Sequence, residues 1–229
     1  YDWHDALDRI ARAYNGPLWV EGEGWRADYW SRLKGRPVVP RSVDAYIEHG
    51  RDRALAAALK EKAEWCRGQK AEPEADHWDF RSRPFELIMD QPERALEIGH
   101  ALLALQTPEG DFPFDPEGIH RTNLLDWAAF WRPLGQPGDS AVDLCAMGAA
   151  TLLLVGQKTG QSQFIEAARR ALEYALKFER PEGGDWWETP FHSPNLLAAG
   201  HAAIAYYLGY KQFGDERYLA RARHWIRCV

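Results

Sequence analysis

The sequence is short of the features that identify proteins quickly. Three cysteines, Cys66, Cys145 and Cys228, are too few, too far apart and odd in number for a disulfide framework, and their spacing gives no zinc site. No apolar run reaches membrane-spanning length, and no short apolar stretch near the start resembles a secretory leader. Basic charge is scarce: 28 Lys and Arg stand against 34 Asp and Glu, for a net charge of −6. No basic stripe interleaves with the aromatics, so nucleic acid and membrane are both set aside as partners. Strand-like alternation is missing from 90 to 229, and the protein reads as all-α. The chain starts at Tyr1 without Met and stops at Val229 within an uncapped helix, so a longer parent chain is expected.

What is abundant is tryptophan, 11 in 229 residues, together with 45% hydrophobic residues, enough to bury a sizeable core. The stretch with most chemistry is Gly183-Gly184-Asp185-Trp186-Trp187-Glu188-Thr189-Pro190-Phe191-His192-Ser193-Pro194-Asn195. After it, His201 is the one ionisable side chain besides tyrosine before Tyr210, in a helix of Ala, Leu, Ile, Gly and Tyr. A helix apolar all round is expected to be covered on all sides.

Residues 1–14 read as a helix stopped by Gly16-Pro17, 17–40 as an aromatic-rich loop, and Val43 to about Gln69 as one helix capped by Ser42. Asp90 and Pro92 open a helix through Gln106. A long loop from Thr107 holds a short helix around 124–131. Asp139 or Ser140 caps an apolar helix to Lys158, and an amphipathic helix runs from Ser162 to Phe178. An apolar helix from Asn195 and an amphipathic one from Glu216 repeat that pair. Gly160, Phe164 and Ala168 return as Gly214, Tyr218 and Ala222, each 54 positions later. The loops before the two pairs also match, Pro108-Glu109-Gly110-Asp111-Phe112 against Pro181-Glu182-Gly183-Gly184-Asp185-Trp186. Two regions follow: 1–89, helical and irregular, packed on 90–229, the hairpin-repeat region.

An apolar helix followed by an amphipathic one places the first inside and the second outside. With the tight turns at Gly160 and Gly214 at one end, the loops 107–139 and 180–194 must share the other.

The segment Phe213-Gly214-Asp215-Glu216-Arg217-Tyr218-Leu219-Ala220-Arg221-Ala222-Arg223-His224-Trp225 resembles the hairpin turns of (α/α) toroid proteins, the six-hairpin glycosidases and related polysaccharide lyases. The resemblance covers about 90–229. It implies a partial α/α toroid, a carbohydrate-active enzyme with substrate at the loop end, and completion of the ring by the rest of a larger chain or a second subunit. Gln106-Thr107-Pro108-Glu109-Gly110-Asp111-Phe112 is similar to a terpene-cyclase repeat with Phe in place of Trp, but it occurs once, and the acidic Asp-x-Asp-Asp run of those enzymes is missing.

Glycoside hydrolysis needs one protonated and one ionised carboxyl group across the bond. Glu188, Asp185 and Asp111 are the candidates. Trp186 and Trp187 would raise a neighbouring carboxyl pKa by desolvation, and Trp186, Trp187, His192, Asn195, Asp115 and Trp127 are candidate substrate contacts. Elimination from a uronate would instead call on His192, Asn195, His201, Tyr206 or Arg121 as base or carboxylate partner. The bland readings are that loop acids are solvated or cap helices, that one of the two tryptophans is a core plug, and that His201 is a hydrogen-bonded core histidine. Glu188 and His192 stand four apart, but Pro190 forbids the helix that would align them on a metal, so no metal or cofactor is expected. A non-catalytic glycan-binding or scaffold domain is the rival from a different class.

Overall fold

The computed structural model describes residues 2–25, 39–69, 88, 92–116, 134–183 and 189–229. The chain divides into two compact units, Tyr1–His77 and Trp78–Val229, where the sequence places the boundary at 89/90. Among the described residues the regular structure of each is helical, apart from one two-residue ladder in the first and one isolated bridge, Glu182 with Pro194, in the second.

In the first unit, α1 (Trp3–Asn15) is capped by Asp2, whose side chain accepts the His4 amide. The supposed loop after it contains a small hairpin, β1 (Trp19–Val20) and β2 (Gly24–Trp25), with Trp19 opposite Trp25. Trp25 is buried and its indole donates to the Tyr14 carbonyl at 2.8 Å. The expected single helix of 43–69 is two helices, α2 (Arg41–His49) and α3 (Arg53–Gly68). The break has a local cause. Asp52 takes a capping conformation and accepts from the Ala54 and Leu55 amides, a stronger helix start than the mid-helix position it would otherwise occupy. Pro40, not Ser42, holds the cap position of α2, without a side-chain bond.

The second unit carries the repeat. A single 3₁₀ turn (Pro92–Arg94) leads into α4 (Ala95–Leu105), so the helix starts later than Pro92 suggests. α5 (Val142–Thr159) and α7 (Leu196–Phe213) have 18 residues each, and each ends on a left-handed glycine, Gly160 at φ 71° and Gly214 at φ 69°. α6 (Ser162–Ala175) and α8 (Glu216–Ile226) then turn back. Phe164 and Tyr218, partners in the repeat, are both buried, as are Ala168 and Ala222.

Side-chain contacts give the directions. His201, early in α7, meets Asp143 in the first turn of α5, and Gln157 donates to Gln212 at the far ends, so α5 and α7 run parallel. Ile165 at the start of α6 lies against Gly156 near the end of α5, and Tyr174 near its end reaches Ser140, so α6 is antiparallel to α5. Gly99 of α4 fits against Phe164 at the start of α6, and Gln106 just past the end of α4 donates to the Ala167 carbonyl further along, so α4 runs with α6 and antiparallel to α5.

α5 is central and nearly all buried, whereas α6 and α8 bury one face each. α7 departs from expectation. Ala198, Ala199, Ala202, Ala203 and Ala205 are buried, but Leu196, Ile204 and Tyr207 are 63%, 48% and 50% exposed. Neighbours cover the alanine face together with Tyr206, and a strip of Leu196, Ile204 and Tyr207 stays open.

Candidate functional site

The two outer-to-inner loops meet at the end where α5 and α7 begin. The Phe191 amide donates to the Leu134 carbonyl and the Asp143 amide to the Glu182 carbonyl. The Phe114 and Phe191 rings are 4.8 Å apart, and a β-carbon on Gly135 would touch both residues at 3.0 Å. Phe112 closes over Gly148 of α5 from the same side.

Glu188, Asp185, Trp186, Trp187 and Trp127 lie outside the described residues, as do Arg121 and the expected helix at 124–131. The remaining candidates are placed. Asp111 is buried under the loop and surrounded by donors. Its Oδ1 accepts from the Phe112 amide at 2.8 Å, from Ser140 at 2.9 Å and from the Cys145 thiol at 3.3 Å, and Oδ2 accepts from Tyr174 at 2.9 Å. A carboxylate so enclosed ties loop, α5 and α6 together. Ser140, expected as a cap, is one of those donors. Asp139 accepts the Gln136 amide instead of capping α5, and Ala141 holds the cap position. Asp115 is exposed. Asn195 caps α7, its Oδ1 accepting from Leu197 and Ala198 at 2.7 and 3.2 Å.

His192 lies between carboxylates from both loops: Nδ1 is 2.9 Å from Glu182 and Nε2 is 3.7 Å from Asp139. Arg180 pairs with the same Glu182. Tyr206 is buried and donates to the Leu172 carbonyl at 3.0 Å, and burial pushes its pKa up, so its phenolate is inaccessible as a base near neutrality.

The arrangement that no motif announces is Asp143 with His201. Asp143 is fully buried in the first turn of α5, and its Oδ1 is 2.5 Å from His201 Nδ1, whose side chain is 21% exposed. Gly183 makes room for the pair: at φ 106° it presses so closely that a β-carbon there would sit 2.5 Å from that of Asp143. His201 was visible in the sequence as a lone imidazole. Its acid, 58 positions earlier, had only one signal, a charge inside an otherwise apolar run.

No protein-family model matches the chain, and no curated protein matches its sequence. No helix among the described residues is long and apolar enough to cross a membrane, and the described His, Cys, Asp and Glu form no group of three suited to a metal.

Proposed function

We propose that the chain is part of an α/α-toroid carbohydrate-active enzyme, with its substrate at the end where α5 and α7 begin. The observation that carries this reading is the joining of the two outer-to-inner loops at that end, seen in the Phe191–Leu134 and Asp143–Glu182 backbone bonds. Loops gathered over the ends of rigid helices can hold reacting groups within the narrow tolerance that catalysis requires. In a toroid, further hairpins from a longer chain or a second subunit cover the open strip of Leu196, Ile204 and Tyr207 on α7.

For hydrolysis, Glu188 and Asp185 supply the acid and base, with Trp186 or Trp187 as a platform for a sugar ring. Asp111 drops out of that role, because its oxygens are already taken by four donors. The test is release of reducing ends from neutral and uronate-bearing polysaccharides by the whole chain. General acid catalysis is worth roughly 10²–10⁴-fold, so Glu188→Gln should lower kcat by at least about a hundredfold with the fold intact. Binding without turnover in the wild type, lost in Trp186→Ala or Trp187→Ala, would select the non-catalytic glycan-binding domain instead.

A further inference from the structure

We propose that α7 is the contact face of a symmetric dimer, in which a second copy of this chain lays its own α7 antiparallel across the open strip. The inference does not depend on the carbohydrate reading.

The first argument is continuity with an interface the fold already contains. On α5, Asp143, Ala146, Ala150, Leu153 and Gln157 follow the alternating three and four spacing of a seam between two helices lying side by side. The two ends of that seam reach α7, Asp143 at His201 and Gln157 at Gln212, and the three residues between them are buried. At a distance of 54 positions the same seam returns on α7 as Leu197, Gly200, Ile204, Tyr207 and Lys211. There it is open. Ile204 and Tyr207 are exposed, and a β-carbon on Gly200 would meet nothing within 4 Å. A surface that receives a helix in one hairpin is therefore turned outward in the next, and contiguous apolar exposure of this kind marks an interaction face.

The second argument is shape. A two-fold axis gives both copies the same patch, so the patch must fit itself. With the axis between the levels of Ala203 and Ile204, the Tyr207 ring of each copy lies over Gly200 of the other. The bulkiest side chain of the seam then meets the one position that has none. The two Ile204 side chains meet near the axis. Parallel pairing would instead set Tyr207 on Tyr207 and leave the two glycines facing each other.

The third argument is charge. The chain carries −6, so two copies repel wherever acidic surfaces meet. α7 contains no Asp or Glu, and Lys211 is the single ionised side chain of the seam. Antiparallel pairing keeps the two Lys211 residues about 22 Å apart, at a rise of about 1.5 Å per residue. It also lays each lysine's methylene stem along Leu196 of the other copy, with the ammonium group left in water.

Sedimentation velocity over a dilution series tests the whole chain. The expected species is a dimer that dissociates on dilution. Ile204→Glu should make it monomeric by setting two carboxylates against each other at the axis. Gly200→Gln should do the same while keeping or raising the melting temperature, because Gln suits a helix interior better than Gly and the space around position 200 is open. Circular dichroism checks the fold of both variants. Cys66 and Cys145 are buried, so in a Cys228→Ser background oxidation should link Ile204→Cys chains to each other. Lys211→Cys chains should stay unlinked. A wild type that is monomeric throughout would overturn the proposal and leave the strip to a helix of another kind. So would a dimer that both substitutions leave intact, or one in which Lys211→Cys chains link and Ile204→Cys chains do not. None of these outcomes depends on glycan turnover, so the failure of one reading leaves the other standing.

Discussion

Gly110 and Gly183 stand at matching places in the two long loops and share nearly the same backbone, φ 103° and 106°. Each does so because another chain segment lies where a side chain would be. A β-carbon on Gly110 would be 2.4 Å from the Arg170 carbonyl, whereas one on Gly160 or Gly214 would meet nothing within 4 Å. Gly110→Ala should therefore cost about 2–4 kcal/mol from backbone strain and overlap together. Gly160→Ala and Gly214→Ala should cost only the left-handed strain, about 1–2 kcal/mol. Urea midpoints at unchanged slope measure the difference, and equal costs at 110 and 160 would refute the packing argument.

Asp111→Asn keeps the shape of the side chain but turns an amide donor toward groups that are themselves donors. The Ser140, Tyr174 and Cys145 contacts lose a charged acceptor, and stability should fall by about 2–4 kcal/mol. Thermal melting reads it. A variant as stable as the wild type but inactive would return Asp111 to the list of catalytic groups.

The thiols should separate by burial. Burial pushes Cys66 up to about 11 from the ordinary 9.0, and raises Cys145 well above that value, with the Asp111 carboxylate adding to the effect. Cys228 is only partly buried. At neutral pH one thiol, Cys228, should label rapidly with a disulfide reagent and two only on unfolding. The pH effect has a fixed sign. The folded chain holds the Cys66 proton that the unfolded chain releases, so this stability is complete below about pH 9 and is lost as pH rises toward 11. Cys66→Ala should flatten that alkaline slope, seen in denaturant midpoints between those limits.

Arg217 bonds Glu173 and Asp215, both at 2.7 Å, and joins the two hairpins on their outer side. Its side chain is 61% exposed, and solvent-exposed pairs contribute little. Arg217→Ala should change stability by less than about 1 kcal/mol in a urea titration. A larger loss would mean that the hairpins depend on this contact and not on the buried Phe164, Tyr218 and Trp225.

The hairpin repeat was legible because it is written locally. Gly160 and Gly214 mark turns, and apolar spacing marks which face each helix buries. The meeting of the loops followed from helix directions alone. Contacts between distant segments were not legible. Asp111 carries the same side chain whether it faces solvent or four donors, and nothing near it in sequence indicates Tyr174. Asp143 reads as an ordinary first-turn acid until His201 is seen opposite. The break at Gly50–Asp52 was missed because helical spacing continues across it, although Asp52 prefers to start a helix. Sequence also says that α7 is apolar but not which of its neighbours are present, so the open strip could not be foreseen.

The up-and-down order of the hairpins has an electrical consequence. α5 and α7 begin at the loop end, so their amide ends, each worth about half a positive charge, lie there side by side. α4 and α6 finish at that end, and Arg221 and His224 of α8 contact the Phe178 and Glu179 carbonyls there. The amide ends of the inner helices therefore face the carboxylates gathered at this end, with Asp143 buried in the first turn of α5 and Asp111 buried against Ser140 and Cys145. The backbone field offsets part of that negative charge, so the fold itself helps to carry the acids that tie its loops to its inner helices.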